Sequence, residues 1–108
     1  MPPTARITYP TALVLLGLRQ GLIHGFDIID ATGLRSGTVY PILRRIEDAG
    51  LVRSRWERAP LARQEGRPPR RYYQLTGAGA EAVREALERY PRIAHVFGPP
   101  GDPVPSPW

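Results

Sequence analysis

A chain of 108 residues can bury one hydrophobic core and is short for two, which excludes most large enzyme folds. It contains no cysteine, so disulfides, thiolate nucleophiles and the usual structural zinc sites are excluded, and a reducing compartment suits it. Its net charge of +5 is carried by arginine alone and is localised: between Arg35 and Arg71 ten arginines face four acids, a net of +6, while the rest of the chain nets −1. A basic segment of this kind in a small domain points to a polyanionic partner.

Residues 1–9 read as an N-terminal arm without the apolar stretch of a secretory signal. The longest apolar run, Ala12 to Leu18, is far below the roughly 20 residues that cross a bilayer. The expectation is a cytoplasmic, nucleoid-associated protein with no membrane partner.

Thr8 and Pro10 precede the apolar series Leu13, Leu16, Gly17, so a first helix is predicted over about 10–20, ending at Gly21. "HGFDIIDATG" predicts a second helix over about 25–32, with Phe26, Ile28 and Ile29 available for packing and Gly33 as its stop. After the short link "LRS", Ser36 is expected to cap a third helix from Gly37 to Ala49, stopped by Gly50. Val39, Leu43 and Ile46 recur at helical spacing and mark its buried face.

The period then changes. In "LVRSRWE" Val52, Ser54 and Trp56 alternate with Arg53, Arg55 and Glu57, a strand with one arginine-rich exposed face. "RYYQL" alternates likewise and puts Tyr73 and Leu75 on one side. Between them "RAPLARQEGRPPR" is predicted to be a polar loop, the tip of a long hairpin. Trp56 and the tyrosines are expected in the core. Thr76 is expected to cap a last helix from Gly77 to Tyr90, continuing past Pro91 with a kink. Residues 98–108 hold five prolines and are expected to form an extended, disordered tail.

Helix, helix, short turn, helix, strand, basic loop, strand, helix is the order of a winged helix-turn-helix, an α+β class that is mainly α. A B-DNA major groove admits one α-helix, and the preceding helix braces it across the backbone. With Val39, Leu43 and Ile46 inward, the third helix turns Gly37, Pro41, Arg44 and Asp48 outward, flanked by Thr38, Tyr40 and Arg45. Arg44 can pair two N–H groups with guanine O6 and N7, Thr38 can meet a thymine methyl or a phosphate, and Tyr40 can bond a phosphate. Arg35 and the free N–H groups around Ser36 suit one more phosphate. In the wing, Arg58, Arg63, Arg67, Arg70 and Arg71 are the expected backbone or minor-groove contacts.

Pro41 inside this helix removes one N–H and crowds the carbonyl four residues back, about 3 kcal/mol in an ordinary helix. At the expected fourth or fifth helical position the crowded residue is Gly37, which has no side chain. Pro41 is therefore read as a rigid apolar contact point on the DNA-facing side.

Three segments, "IHGFDI", "SGTVYPILRRIEDAGLV" and "GRPPRRYYQLTGAG", resemble the signature stretches of PadR-type transcriptional regulators in the right order, over roughly residues 10–90. The resemblance implies a winged-helix fold, a homodimer, repression at palindromic operators and, in some members, small-molecule effectors. No residue pattern in this chain independently supports an effector. The stretch from Phe26 to Ser36 is shorter than in typical members, and the C-terminal part is minimal.

Val83, Leu87, Tyr90, Ala94 and Phe97 form a 4,3,4,3 spacing that fits a coiled-coil-like dimer seam, with packing on the chain's own first helix as the competing reading. The expected organisation is thus an arm (1–9), a winged-helix domain (10–76), a dimerisation helix (77–97) and a tail (98–108). His24 is read as a buried or capping residue rather than a ligand, since only His95 accompanies it. Asp27 with Asp30 and Glu81 with Glu85 read as solvated faces rather than acid–base pairs. No metal, cofactor or enzymatic activity is expected. Two further functions stay open at this level: an excisionase-like architectural protein of a mobile element that bends DNA, and a winged-helix adaptor between proteins.

Overall fold

Helix α1 (Tyr9–Arg19) is the element around which the others pack. Thr8 starts it from an extended backbone, and its hydroxyl accepts from the Thr11 N–H at 3.4 Å. Pro10 occupies the first turn, where a missing N–H costs nothing. Every residue from Thr11 to Leu18 is buried. A helix apolar on all sides has to be enclosed by neighbours, and here they are the helices α2 (Gly25–Thr32), α3 (Ser36–Asp48) and α5 (Gly77–Arg89). The computed structural model describes residues 7–97, so the expected tail and most of the arm lie outside the described residues. Ile7, assigned to the arm, is buried in the same core as α1.

Helix α2 (Gly25–Thr32) buries Ile28 and ends at Gly33, whose φ of 74° lies in the left-handed region that glycine tolerates best. Phe26 does not pack inward as expected: it sits in the first turn and is 64% exposed. Three residues later α3 (Ser36–Asp48) begins, and Val39, Ile42, Leu43 and Ile46 seal its inner face. Arg35, not Ser36, is its cap residue; the Arg35 carbonyl accepts from the N–H groups of Thr38 and Val39 at 2.9 and 3.0 Å. Ser36 is the first helical residue. Pro41 is consequently the sixth, deeper than expected, but the carbonyl that loses its donor is still that of exposed Gly37.

Strand β1 (Val52–Trp56) pairs antiparallel with β2 (Arg71–Leu75), with Val52 opposite Leu75 and Trp56 opposite Arg71. Val52 and Tyr73 face the core. The Tyr73 N–H donates to the Ile23 carbonyl at 2.9 Å, so the link between α1 and α2 occupies the outer edge of β2. The connection between the strands is not all loop: Ala59–Gln64 forms a short helix, α4, with Pro60 in its first turn.

Thr76 caps α5 (Gly77–Arg89) as expected: its hydroxyl accepts from the Gly79 N–H at 3.1 Å and donates to the Gly50 carbonyl at 2.6 Å. This pair of bonds ties the helix start to the turn between α3 and β1. A Cβ on Gly79 would lie 1.9 Å from the Leu51 carbonyl oxygen, so only glycine fits there. The helix stops at Tyr90, whose backbone (φ −130°, ψ 71°) is not helical, and a 3-10 turn (Pro91–Ile93) and a short α6 (Ala94–Phe97) fold back. No continuous helix runs past Pro91, and the fold is a winged helix whose C-terminal helix shares the core of the N-terminal part.

Candidate nucleic-acid interface

Two surfaces meet on one side of the molecule. The first is the outward face of α3. Gly37, Tyr40, Pro41, Arg44 and Arg45 are exposed, and Thr38 is half-buried. Tyr40, Pro41, Arg44, Arg45 and Asp48 line a shallow depression of about 430 Å³. Arg44 makes no ion pair or side-chain hydrogen bond with any described residue, so its guanidinium is available. Arg45 is differently used: its Nη2 donates to Thr11 Oγ1 at 2.6 Å and ties α3 to α1. That bond satisfies a hydroxyl otherwise buried in α1, and it leaves Arg45 on the flank of the face.

The position of Tyr40 depends on α2. A Cβ on Gly25 would stand 2.6 Å from Tyr40 Cε1 and 3.0 Å from Cζ, so the ring rests on bare backbone. His24 precedes this glycine as the cap residue of α2. Its Nδ1 lies 2.8 Å from Asp27 Oδ2, and its ring centroid is 4.7 Å from that of Tyr72. The expected capping histidine thus caps by backbone position and spends its side chain on Asp27 and the wing.

The second surface is the wing. Trp56, expected in the core, is 60% exposed, and the Arg71 guanidinium stands over its ring at 5.4 Å. Arg71 also donates from Nε to Ser54 Oγ at 2.8 Å and from Nη2 to Glu47 Oε1 at 3.4 Å; Ser54 Oγ in turn donates to the other Glu47 oxygen. These bonds join the sheet to the end of α3. Between the two surfaces runs a groove of about 770 Å³, walled by Phe26, Tyr40, Trp56 and Tyr73 and closed by the wing residues Pro68 to Arg71.

The wing arginines fall into two sets. Arg58, Arg63 and Arg70 are exposed, and none has an ion pair or side-chain hydrogen bond to a described residue. Arg67 is the opposite case. Its Nη1 and Nη2 donate to the two oxygens of Glu57 at 2.6 and 2.8 Å, and its Nε donates to Glu65 at 2.6 Å. The alternation of β1 had placed Glu57 outside; its side chain is 2% exposed. The Arg67 bonds, then the Tyr72 hydroxyl at 2.7 Å, hold the Glu57 carboxyl down at about 2 against an ordinary 4.5. The same contact raises the Tyr72 hydroxyl and the Arg67 guanidinium above their usual ranges. Sequence reasoning missed this carboxylate, and the one available signal was an acid immediately after a strand in a segment otherwise rich in arginine.

The seam residues are also divided. Val83 is 1% exposed inside its own core, which withdraws it from a dimer contact. Leu87, Tyr90, Ala94 and Phe97 are partly buried against that core. Tyr90 meets Tyr9 edge to face at 5.6 Å, and Tyr9 and Val96 leave apolar surface outward. Among the described residues no helix is long and apolar enough to cross a membrane, and no group of three His, Asp or Glu side chains is placed to hold a metal ion.

With this geometry in place, comparison with known proteins is decisive. The model of the transcriptional regulator PadR-like family matches residues 14–85, from α1 through most of α5. The chain belongs to the PadR-like family. A PadR-like transcription factor from Bacteroides fragilis is 26% identical over 79% of this chain and 82% of its own, with a TM-score of 0.62. A PadR family transcription regulator from hypervirulent Clostridium difficile R20291 is 24% identical over 83% of this chain and 95% of its own, at a TM-score of 0.65, and shares the fold. No curated protein shows a matching sequence. As a PadR-like protein the chain is a DNA-binding transcriptional regulator of mainly helical, winged-helix architecture, and its family and structural neighbours are regulators rather than enzymes.

Proposed function

We propose that this PadR-like regulator is a repressor that binds a palindromic operator as a homodimer, with α3 in the major groove and the wing over the adjacent backbone. The observation that carries the reading is the placement of four guanidinium groups with no ion pair or side-chain hydrogen bond to a described residue: Arg44 on α3 and Arg58, Arg63 and Arg70 on the wing all stand exposed. In this reading Arg44 reads a base edge, while Tyr40 and the N–H groups at Ser36 and Gly37 hold phosphates. Arg35 and Thr38 lie beside them at the helix start. Arg45, Arg67 and Arg71 support these contacts from intramolecular bonds.

The second copy is proposed to join through the C-terminal end, where Leu87, Tyr90, Ala94 and Phe97 are incompletely covered and Tyr9 and Val96 extend the apolar surface. Two reading helices related by a two-fold axis then enter successive major grooves about 34 Å apart. Selection of bound duplexes from random DNA tests operator and dimer, and transcription of a reporter placed behind the selected site, expected to fall when the protein is present, tests repression. The expected result is a palindrome with about ten base pairs between half-site centres; enrichment of no sequence would overturn it.

A further inference from the structure

Glu57 is an anomaly for a DNA-facing wing. A carboxylate beside a phosphate backbone repels it, yet this one follows the strand that leads into the basic tip. Its oxygens are shared among three segments. Oε1 accepts from Arg67 Nη1 at 2.6 Å and from the Arg70 backbone N–H at 3.4 Å; Oε2 accepts from Arg67 Nη2 at 2.8 Å and from the Tyr72 hydroxyl at 2.7 Å. The Glu57 N–H donates to the Arg70 carbonyl at 2.7 Å, one step beyond the last strand pair. One side chain thereby ties the end of β1 to the returning limb and to β2. Through the Tyr72 ring the tie reaches His24 and Asp27 in the first turn of α2, next to the backbone that supports Tyr40.

We infer that Glu57 is the positioning residue of the wing: with Arg67 as its clamp, it holds the Arg70 guanidinium at the height from which that group faces the same duplex as α3. Arg67 then serves Glu57 and not a phosphate. The inference rests on the DNA-binding reading above and adds a residue that never touches DNA. It also reverses the sign that simple electrostatics gives. Removing a negative charge from a DNA-facing surface tightens binding if charge alone matters, whereas removing this one lets the wing drift and weakens binding.

The test is a double-mutant cycle of Glu57→Gln and Arg67→Gln in the full chain, on a duplex the unaltered protein selects. Losing the Arg70 contact should weaken binding about fivefold at 0.2 M salt and flatten the log–log salt slope by about 0.9. The double variant should be no weaker than either single one, because both changes release the same tie. Amide exchange without DNA should quicken at residues 57, 67 and 70–72 while α1, α3 and α5 keep their protection. Should Glu57→Gln prove poorly folded, Tyr72→Phe removes one donor only and should weaken binding in the same direction, by less.

A Glu57→Gln protein that binds as tightly as the parent, or tighter, overturns the inference and leaves DNA binding standing. So does an exchange increase spread evenly over the core helices, since Glu57 would then be a general stabilising residue. If the parent selects no duplex, the DNA-binding reading fails, and with it the role of the anchor.

Discussion

Substituting Gly25 by alanine isolates the support of Tyr40 from everything else in the interface. The new methyl would lie 2.6 Å from Tyr40 Cε1 and 3.2 Å from its hydroxyl oxygen. Carbon atoms rest at about 3.5 Å, so the ring edge must retreat by about 0.9 Å, and its tip swings outward with it. That displacement takes a hydroxyl–phosphate bond of about 2.8 Å beyond the range in which it counts as one. Losing it should cost about 1 kcal/mol, near fivefold in affinity. Stability should move little, because alanine favours a helical position by up to about 1 kcal/mol and the ring is already half exposed. Fluorescence anisotropy on a selected duplex, with thermal melting of the free protein, reads both quantities. Tyr40→Phe should reproduce the affinity loss, and the two changes together should cost no more than one. A Gly25→Ala protein that binds like the parent would show that Tyr40 is not held for DNA; one that melts far lower would show that the ring cannot yield.

Arg44→Ala should lose about 1–3 kcal/mol of specific binding and relax one base preference, whereas Arg70→Ala should weaken all sequences alike and lower the salt slope by about 0.9; mobility-shift titrations at several salt concentrations separate them. Pro41→Ala should leave the melting temperature unchanged or raise it, since the Gly37 carbonyl regains a donor, while shifting the selected sequence; a lower melting temperature would contradict the position given to Pro41. Gly79→Ala should be severely destabilising, by about 3 kcal/mol or more, because its methyl meets the Leu51 carbonyl rather than a movable side chain; for a domain of this size that is a fall of roughly 12 °C or more in melting temperature. Glu57 has a folded value of about 2, below its unfolded value, so its contribution is fully present above about 4.5 and is lost as pH falls from there towards 2. Wing amide protection, taken relative to the intrinsic exchange rate at each pH, should fall over that window and stay flat in Glu57→Gln.

The helices were legible because their signals are local. Thr8, Gly33 and Thr76 act within three or four residues, and the spacing of Val39, Ile42, Leu43 and Ile46 needs only one helix to make sense. What failed to show depends on partners far along the chain. Glu57 is outward by alternation but turns inward because Arg67, ten residues on, and Tyr72, fifteen on, provide its donors. Six residues of "APLARQ" are too few for a period, so α4 read as loop. Phe26 and Trp56 are apolar by composition and exposed by position, facing one groove between elements that pattern alone cannot bring together. Arg45, Arg67 and Arg71 look like Arg44 and Arg70 in the sequence; only their neighbours in space distinguish the braces from the free cations. The seam spacing assumes one continuous helix; the bend at Tyr90 interrupts it, with Val83 in the chain's own core and Leu87, Tyr90, Ala94 and Phe97 partly buried against that core.

The bond from the Tyr73 N–H to the Ile23 carbonyl bears on how copies of this protein avoid one another. A two-stranded ribbon is marginal alone and offers two raw edges to any passing strand. On β2 that edge is already engaged by the link ahead of α2, in the middle of the stretch where a neighbour would dock. A single carbonyl from a non-strand segment withdraws one of the two edges from such pairing.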